Sequence, residues 1–250
     1  MSREVRTERA GSVTEITETK AKAATRRRSR RRRPARTGRP PRELTGECEK
    51  RILDAAAKVF LERGFEGASV DEIADVAHAG KPTIYARFSG KEALFAAVIA
   101  RLVRQNTGSL QSVAVLGSTL EDRLEHLAEA FLRNVLTPDS VGLVRAAIAE
   151  ARRFPKLASS VGRMARERGM EAVAGILGEL ARSDGTPPLA AFAADHLPAT
   201  TRRFIDMVLL PMLLRALLGE DLAALEGEIG SHVSSTVAFF LAACRHGGER

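Results

Sequence analysis

The sequence is poor in the residues that staple or flatten a fold. Its 250 residues hold two cysteines, Cys48 and Cys244. Two so far apart make no disulfide framework and sit in no metal-ligand spacing, so a reducing cytoplasm is the expected setting. Aromatics amount to 4%, with one tyrosine and no tryptophan, which argues against a β-sandwich and suits helices packed through Ala, Leu and Val. Long apolar runs are missing as well. The longest, residues 204–218, contains Asp206 and Arg215 and falls short of the ~18–20 residues that span a bilayer. No apolar segment follows the N-terminal charges, so neither a secretory signal nor a membrane partner is expected. The five histidines, at 78, 126, 196, 232 and 246, stand apart. No Ser-His-Asp or Cys-His arrangement, metal cluster or Gly-rich phosphate cradle stands out, so the chain reads as no enzyme and implies no cofactor.

Positive charge is also lacking outside one segment. Residues 1–42 carry fifteen Lys/Arg against four Asp/Glu, and the remainder carries 24 against 27. The basic excess lies in a Thr/Ser-rich stretch with an arginine-dominated run at 26–33 and breakers at Pro34, Pro40 and Pro41. Such composition reads as a disordered arm over residues 1–44. Basic side chains that displace condensed counterions favour a polyanionic partner. Within the arm, Gly38-Arg39-Pro40 is suited to laying Arg39 into a narrow minor groove.

What is present is helical periodicity throughout. Ile52, Leu53, Ala56, Val59 and Phe60 form one apolar stripe, closed at Gly64. Ser69-Val70-Asp71-Glu72 reads as a capping box that opens a short helix burying Val70, Ile73, Ala74 and Ala77. His78-Ala79-Gly80 is a turn. A second short helix over 81–88 presents Ile84 and Phe88 inward, and Ser89-Gly90-Lys91-Glu92 reads as another capping box. Three short helices with a three-residue turn between the last two match helix-turn-helix geometry, in which the final helix enters the major groove. Lys81, at the start of that helix, reaches a phosphate or a guanine edge. Pro82 is tolerated in the first turn. Thr83 offers a hydroxyl and a methyl, while Tyr85 and Arg87 add hydroxyl and guanidinium groups. Ser69 and Lys91 stand at two further helix starts, where free amides favour phosphate.

The stretch from Ile73-Ala74 through Ala77-His78-Ala79-Gly80-Lys81-Pro82-Thr83-Ile84-Tyr85-Ala86-Arg87-Phe88 to Lys91-Glu92-Ala93-Leu94-Phe95 resembles the signature of TetR-type regulators. The upstream Ile52-Leu53-Asp54-Ala55-Ala56, Phe60, Gly64-Phe65 and Ser69-Val70 resemble that family's first helix. His78 stands where the family's turn glycine is usual, and Gly80 stands where Ser is common and relieves the turn in its place. Arg87 replaces a common His. The resemblance implies that Ser69, Lys81, Thr83, Tyr85 and Lys91 lie at the DNA surface, mostly on phosphates.

The fold class expected is all-α. It comprises a helix-turn-helix domain at 45–106 and a larger helical ligand-binding and dimerisation domain at 107–250. After a break at 107–119, stripes run over 120–135 and 143–151, and a weaker one over 157–180 is interrupted by Gly162, Gly169 and Gly175. A loop follows at 184–188, then two strongly apolar helices at 200–218 and 222–244. Residues 144–157 resemble the branch of TetR regulators with an AefR-like C-terminal domain. The resemblance implies a homodimer through the last two helices, a pseudo-palindromic operator on double-stranded DNA and a small-molecule effector that releases a repressor. Phe131, Met164, Met170, Phe192, Phe204 and Met207, with His126, Arg145 or Glu150, are compatible with a ligand cavity, but none is assigned to one. The competing class is an architectural or nucleoid protein without an effector; the long helical C-terminal half argues against it.

Overall fold

Helix α1 (Arg42–Gly67) turns sharply at Gly64, whose φ of 70° and ψ of 176° leave the helical region, a conformation open to glycine and costly to a β-carbon. The computed structural model describes residues 42–114, 116–183 and 189–246. The arm with Arg39 and the loop read at 184–188 lie outside the described residues. Within them the chain forms ten α-helices and one 3₁₀ turn, with no strand, so the all-α reading holds.

After α1 come α2 (Val70–Val76), α3 (Lys81–Tyr85) and the longer α4 (Lys91–Gly108). Their apolar stripes close one core: Ile52, Ala56, Val59, Phe60, Phe65, Ile73, Ile84, Leu94 and Phe95 are all nearly inaccessible. Phe95 meets Phe60 and Phe65 edge-on at 5.0 and 5.2 Å between ring centres. Edge-to-face pairs of this kind add about 0.5–1.5 kcal/mol beyond their burial. Arg101 ties α4 to α1 through Asp54 at 2.6 Å and the Lys50 carbonyl at 3.2 Å.

The expected break at 107–119 is shorter than read, because it holds a further short helix, α5 (Leu110–Ala114). Helix α6 (Leu120–Val135) opens with a reciprocal capping box. The Asp122 amide donates to Thr119 Oγ1 at 3.1 Å and the Thr119 amide donates to Asp122 Oδ2 at 3.1 Å. Thr137 then caps α7 (Pro138–Ala149), with Pro138 in its first turn, so this pair begins a helix as well as following one.

Helix α8 (Pro155–Ser183) is 29 residues long and continues through Gly162, Gly169 and Gly175. Each interior glycine costs roughly 1 kcal/mol relative to alanine. Burial of Val161, Val173, Ile176, Leu177 and Leu180, at about 1.5–3 kcal/mol per large side chain, outweighs that cost. A 3₁₀ turn (Ala190–Phe192) leads to α9 (Leu197–Leu217) and α10 (Leu222–His246). Gly219, at φ 103°, makes the bend between the last two. Arg215 locks the hairpin, donating from Nε to Glu220 at 2.7 Å and from Nη1 to Glu228 at 2.7 Å. His232 Nε2 donates to the Val208 carbonyl at 2.9 Å.

These helices enclose a second core built on Leu124, Leu127, Phe131, Leu177, Phe204, Val208, Val233, Val237 and Phe240. Helix α7 serves both cores: Val141 belongs to this one, while Leu143 lies in the first with Val161 of α8.

Candidate nucleic-acid interface

Helix α2 begins at Ser69, whose Oγ accepts the Glu72 amide at 3.0 Å. The reciprocal half of the expected box is not formed: the Glu72 carboxylate instead takes Arg63 Nε at 3.3 Å. The chain leaves α2 through His78, which carries a positive φ of 46°. Gly80 caps α3 at φ −67°, so the turn is relieved at His78 and not at Gly80.

The helix after the turn spans Lys81–Tyr85, shorter than the expected 81–88, but the Phe88 amide still donates to the Ile84 carbonyl at 2.8 Å. Spacing of four therefore persists through the segment. Ile84 and Phe88 point into the core, and Lys81 and Tyr85, also four apart, share the outward side. Lys81, Pro82 and Tyr85 are exposed, Tyr85 at 54% despite its size. Thr83 and Arg87 are half-buried on the flank, where Arg87 Nη1 donates to the Thr83 carbonyl at 3.3 Å. Exposing the chain's one tyrosine beside a lysine, with the apolar partners turned inward, makes an aromatic and cationic ridge.

Lys81 Nζ lies 2.7 Å from Asp71 Oδ2. Its pKa is raised, chiefly by that hydrogen bond, so the ammonium stays charged under all ordinary conditions. Asp71 escapes sequence reasoning because it faces Lys81 across a turn and no helical spacing links the two.

Lys91 opens its helix as expected, and its ammonium is engaged within the protein. Its Nζ donates to the Glu66 and Ala68 carbonyls at 3.0 Å each and sits 4.7 Å from the centre of the Phe65 ring. It fastens the end of α1, and the helix it opens is capped by Gly90 with no side-chain bond from Ser89. Ser69 is exposed.

The residues considered for a cavity divide between the cores. Phe131, Phe192 and Phe204 are buried in the C-terminal one, with Met207 packed against it, whereas Met164 packs against the first. Arg145 is spent on the end of α9, donating to the Leu217 carbonyl at 3.1 Å and to that of Ala216. His126 is exposed and its Nδ1 donates to the Asp122 carbonyl at 2.7 Å. The Thr201 hydroxyl is buried with no hydrogen-bond partner among the described residues. No group of His, Cys, Asp and Glu among the described residues is arranged to hold a metal ion.

A short helix held against a capped partner across a tight turn, carrying an exposed lysine and tyrosine, is the reading head of a helix-turn-helix transcriptional regulator. Residues 52–98 match the model of the bacterial regulatory proteins of the tetR family, and residues 122–245 match the AefR-like transcriptional repressor C-terminal domain. A solved chain from Mesorhizobium loti MAFF303099, assigned to the TetR-family regulators, is 25% identical with a TM-score of 0.64 over 80% of this chain and 97% of its own. The solved flavonoid-responsive regulator FrrA is 30% identical with a TM-score of 0.56 over 79% of this chain and 97% of its own. The HTH-type transcriptional activator FasR of Mycolicibacterium smegmatis is 35% identical over 38% of this chain and 43% of FasR. The match thus spans less than half the length of that curated relative. The chain belongs to the TetR family of DNA-binding transcriptional regulators, a family of regulators and not of enzymes.

Proposed function

We propose that the protein is an operator-binding repressor, active in the cytoplasm as a homodimer and released by a small molecule. The observation that carries the DNA reading is the ridge of Lys81, Pro82 and Tyr85, exposed while Ile84 and Phe88 of the same turn are buried. Lys81 and Tyr85 enter the major groove, with Thr83, Arg87 and Ser69 on flanking phosphates, and Lys91 serves as the brace beneath them. Arg39 reaches the minor groove from the arm.

Support for the dimer comes from α9 and α10. Leu210 and Leu214 of α9 and Leu218, which caps it, repeat every four residues and are exposed, Leu218 at 80%, and Phe239 of α10 is 68% exposed. A row of this kind on an otherwise well-packed hairpin is an association surface. A two-fold dimer sets the heads about one DNA turn (~34–36 Å) or somewhat more apart, which calls for a pseudo-palindromic site.

Support for the effector comes from FrrA, a flavonoid-responsive regulator by name, and from the Thr201 hydroxyl, buried on α9 with no hydrogen-bond partner among the described residues. An effector releases DNA only through its different affinity for the bound and free forms of the protein. A second reading, activation, is favoured by FasR, an activator.

Selection of genomic fragments on the full chain, followed by competition against random DNA, tests the reading. One recovered palindromic class that resists random competitor is expected, and binding without sequence preference overturns it in favour of the architectural alternative. Lys81→Ala is expected to weaken the selected site and to flatten its salt dependence by about 1.8 in slope, one cation being lost from each head of the dimer. Titrating flavonoids against that complex tests release, and a transcription assay on the same fragment reads the sign of control.

A further inference from the structure

We propose that the corner between α7 and α8 is a second DNA-contacting surface, in which Arg152 and Lys156 hold backbone phosphates beside the stretch read by α3. This rests on the operator reading above and extends its footprint beyond the helix-turn-helix.

Apart from its N-terminal tail the chain is slightly acidic, yet residues 150–168 gather six Arg and Lys against two Glu. This cluster is attached to the head. Arg153 pairs with Glu66, and the Phe154 ring packs edge-on against Phe65 at 5.3 Å. Phe65 is also the ring under the Lys91 ammonium, so the corner and the start of α4 meet on one side chain. Leu157 and Val161 then pack into the head's core. The corner therefore moves with the reading head.

Ion pairs occupy two of the six cations. Arg153 is committed to Glu66, and Arg163 stands 4.0 Å from Glu167. Arg152 and Lys156 are exposed and have no ion-pair partner among the described residues. On the operator reading these two unpaired cations travel with the head in the major groove and are assigned to the adjacent phosphate rail. Duplex DNA carries one charge per ~1.7 Å of axis, so a cation at the rim of the head needs no particular base to find a partner.

The test uses the operator fragment selected by the wild-type full chain, with affinity measured from about 50 to 200 mM salt. Arg152→Ala with Lys156→Ala is expected to make the slope of log affinity against log salt shallower by about 3.6, since each lost phosphate contact removes ~0.9 and the dimer carries the pair twice. Arg182→Ala with Arg245→Ala removes the same charge, Arg182 lying roughly 40 Å along α8 from Lys156, and is expected to leave the slope unchanged. The charge-keeping exchange Arg152→Lys with Lys156→Arg is expected to retain the wild-type slope. Thermal melts confirm that each variant is folded, and glutamine replaces alanine at the same positions in any pair that is not. A wild-type slope in the corner variant, or equal flattening in the distant one, overturns the proposal. Failure of the wild type to select any site is a different result and removes the regulator reading beneath it.

Discussion

His78 meets the one positive φ among the described non-glycine residues, at 46°. A left-handed residue with a β-carbon costs about 1–2 kcal/mol, and His tolerates it better than a β-branched side chain does. His78→Gly is expected to melt at or above the wild-type temperature. His78→Val is expected to lose about 1 kcal/mol or more, read by thermal denaturation; a valine variant as stable as wild type would show that the turn makes no such demand. The turn itself was legible, because a cap and an apolar stripe bracket residues 78–80. Which residue in it carries the positive φ was not, since both His78 and Gly80 satisfied the pattern. Lys91 is the complementary case. Its carbonyl acceptors lie 23 and 25 positions upstream, a closure made by tertiary packing that no local spacing encodes.

Among the elements, the α9–α10 hairpin offers a pH-dependent handle. Glu220 and Glu228 are both held below the usual carboxylate range, chiefly by hydrogen bonds from Arg215. The folded state therefore gives up these protons more readily than the unfolded chain. Their contribution is complete above the unfolded carboxylate value of about 4.3 and fades as pH falls through the folded values. Arg215→Met removes the cause. Its melting temperature is expected to fall less steeply than that of wild type on acidification below about pH 5, with the largest gap between the two at neutral pH. Identical acid profiles would show that the hairpin gains nothing from these pairs. The Asp122 carboxyl, also lowered, first by the Ser118 hydroxyl, is common to both proteins and cancels. At this scale strong amphipathic stripes read well: α6 falls where its leucines place it. Helix α8 read weakly because glycine propensity opposes a burial that only the finished core supplies. Capping boxes misled at Ser89 because Gly90 takes the cap.

For the molecule as a whole, the exposed row on α9 makes a direct prediction about assembly. Leu214→Glu with Leu218→Glu places charges on that face without touching either core and is expected to sediment as a monomer at micromolar concentration, with native helix content. Its operator affinity is expected to fall with it. A double variant that remains dimeric would move the association surface elsewhere. Sequence made this face legible, since helices apolar around most of their circumference must hide two sides. It did not reveal the traffic between the two cores. Val141 and Leu143 are two residues apart on α7 and serve different interiors, a division set by tertiary placement.

That shared helix bears on how such regulators are cut and recombined. The aromatic group of Phe60, Phe65 and Phe95 is completed by Phe154, a residue beyond the apparent end of the head. A head excised at residue 106 would leave with an open wound where Leu143, Phe154 and Val161 had been. Grafting it onto a foreign sensor would require carrying the 143–165 segment along, so this head is not a detachable cartridge.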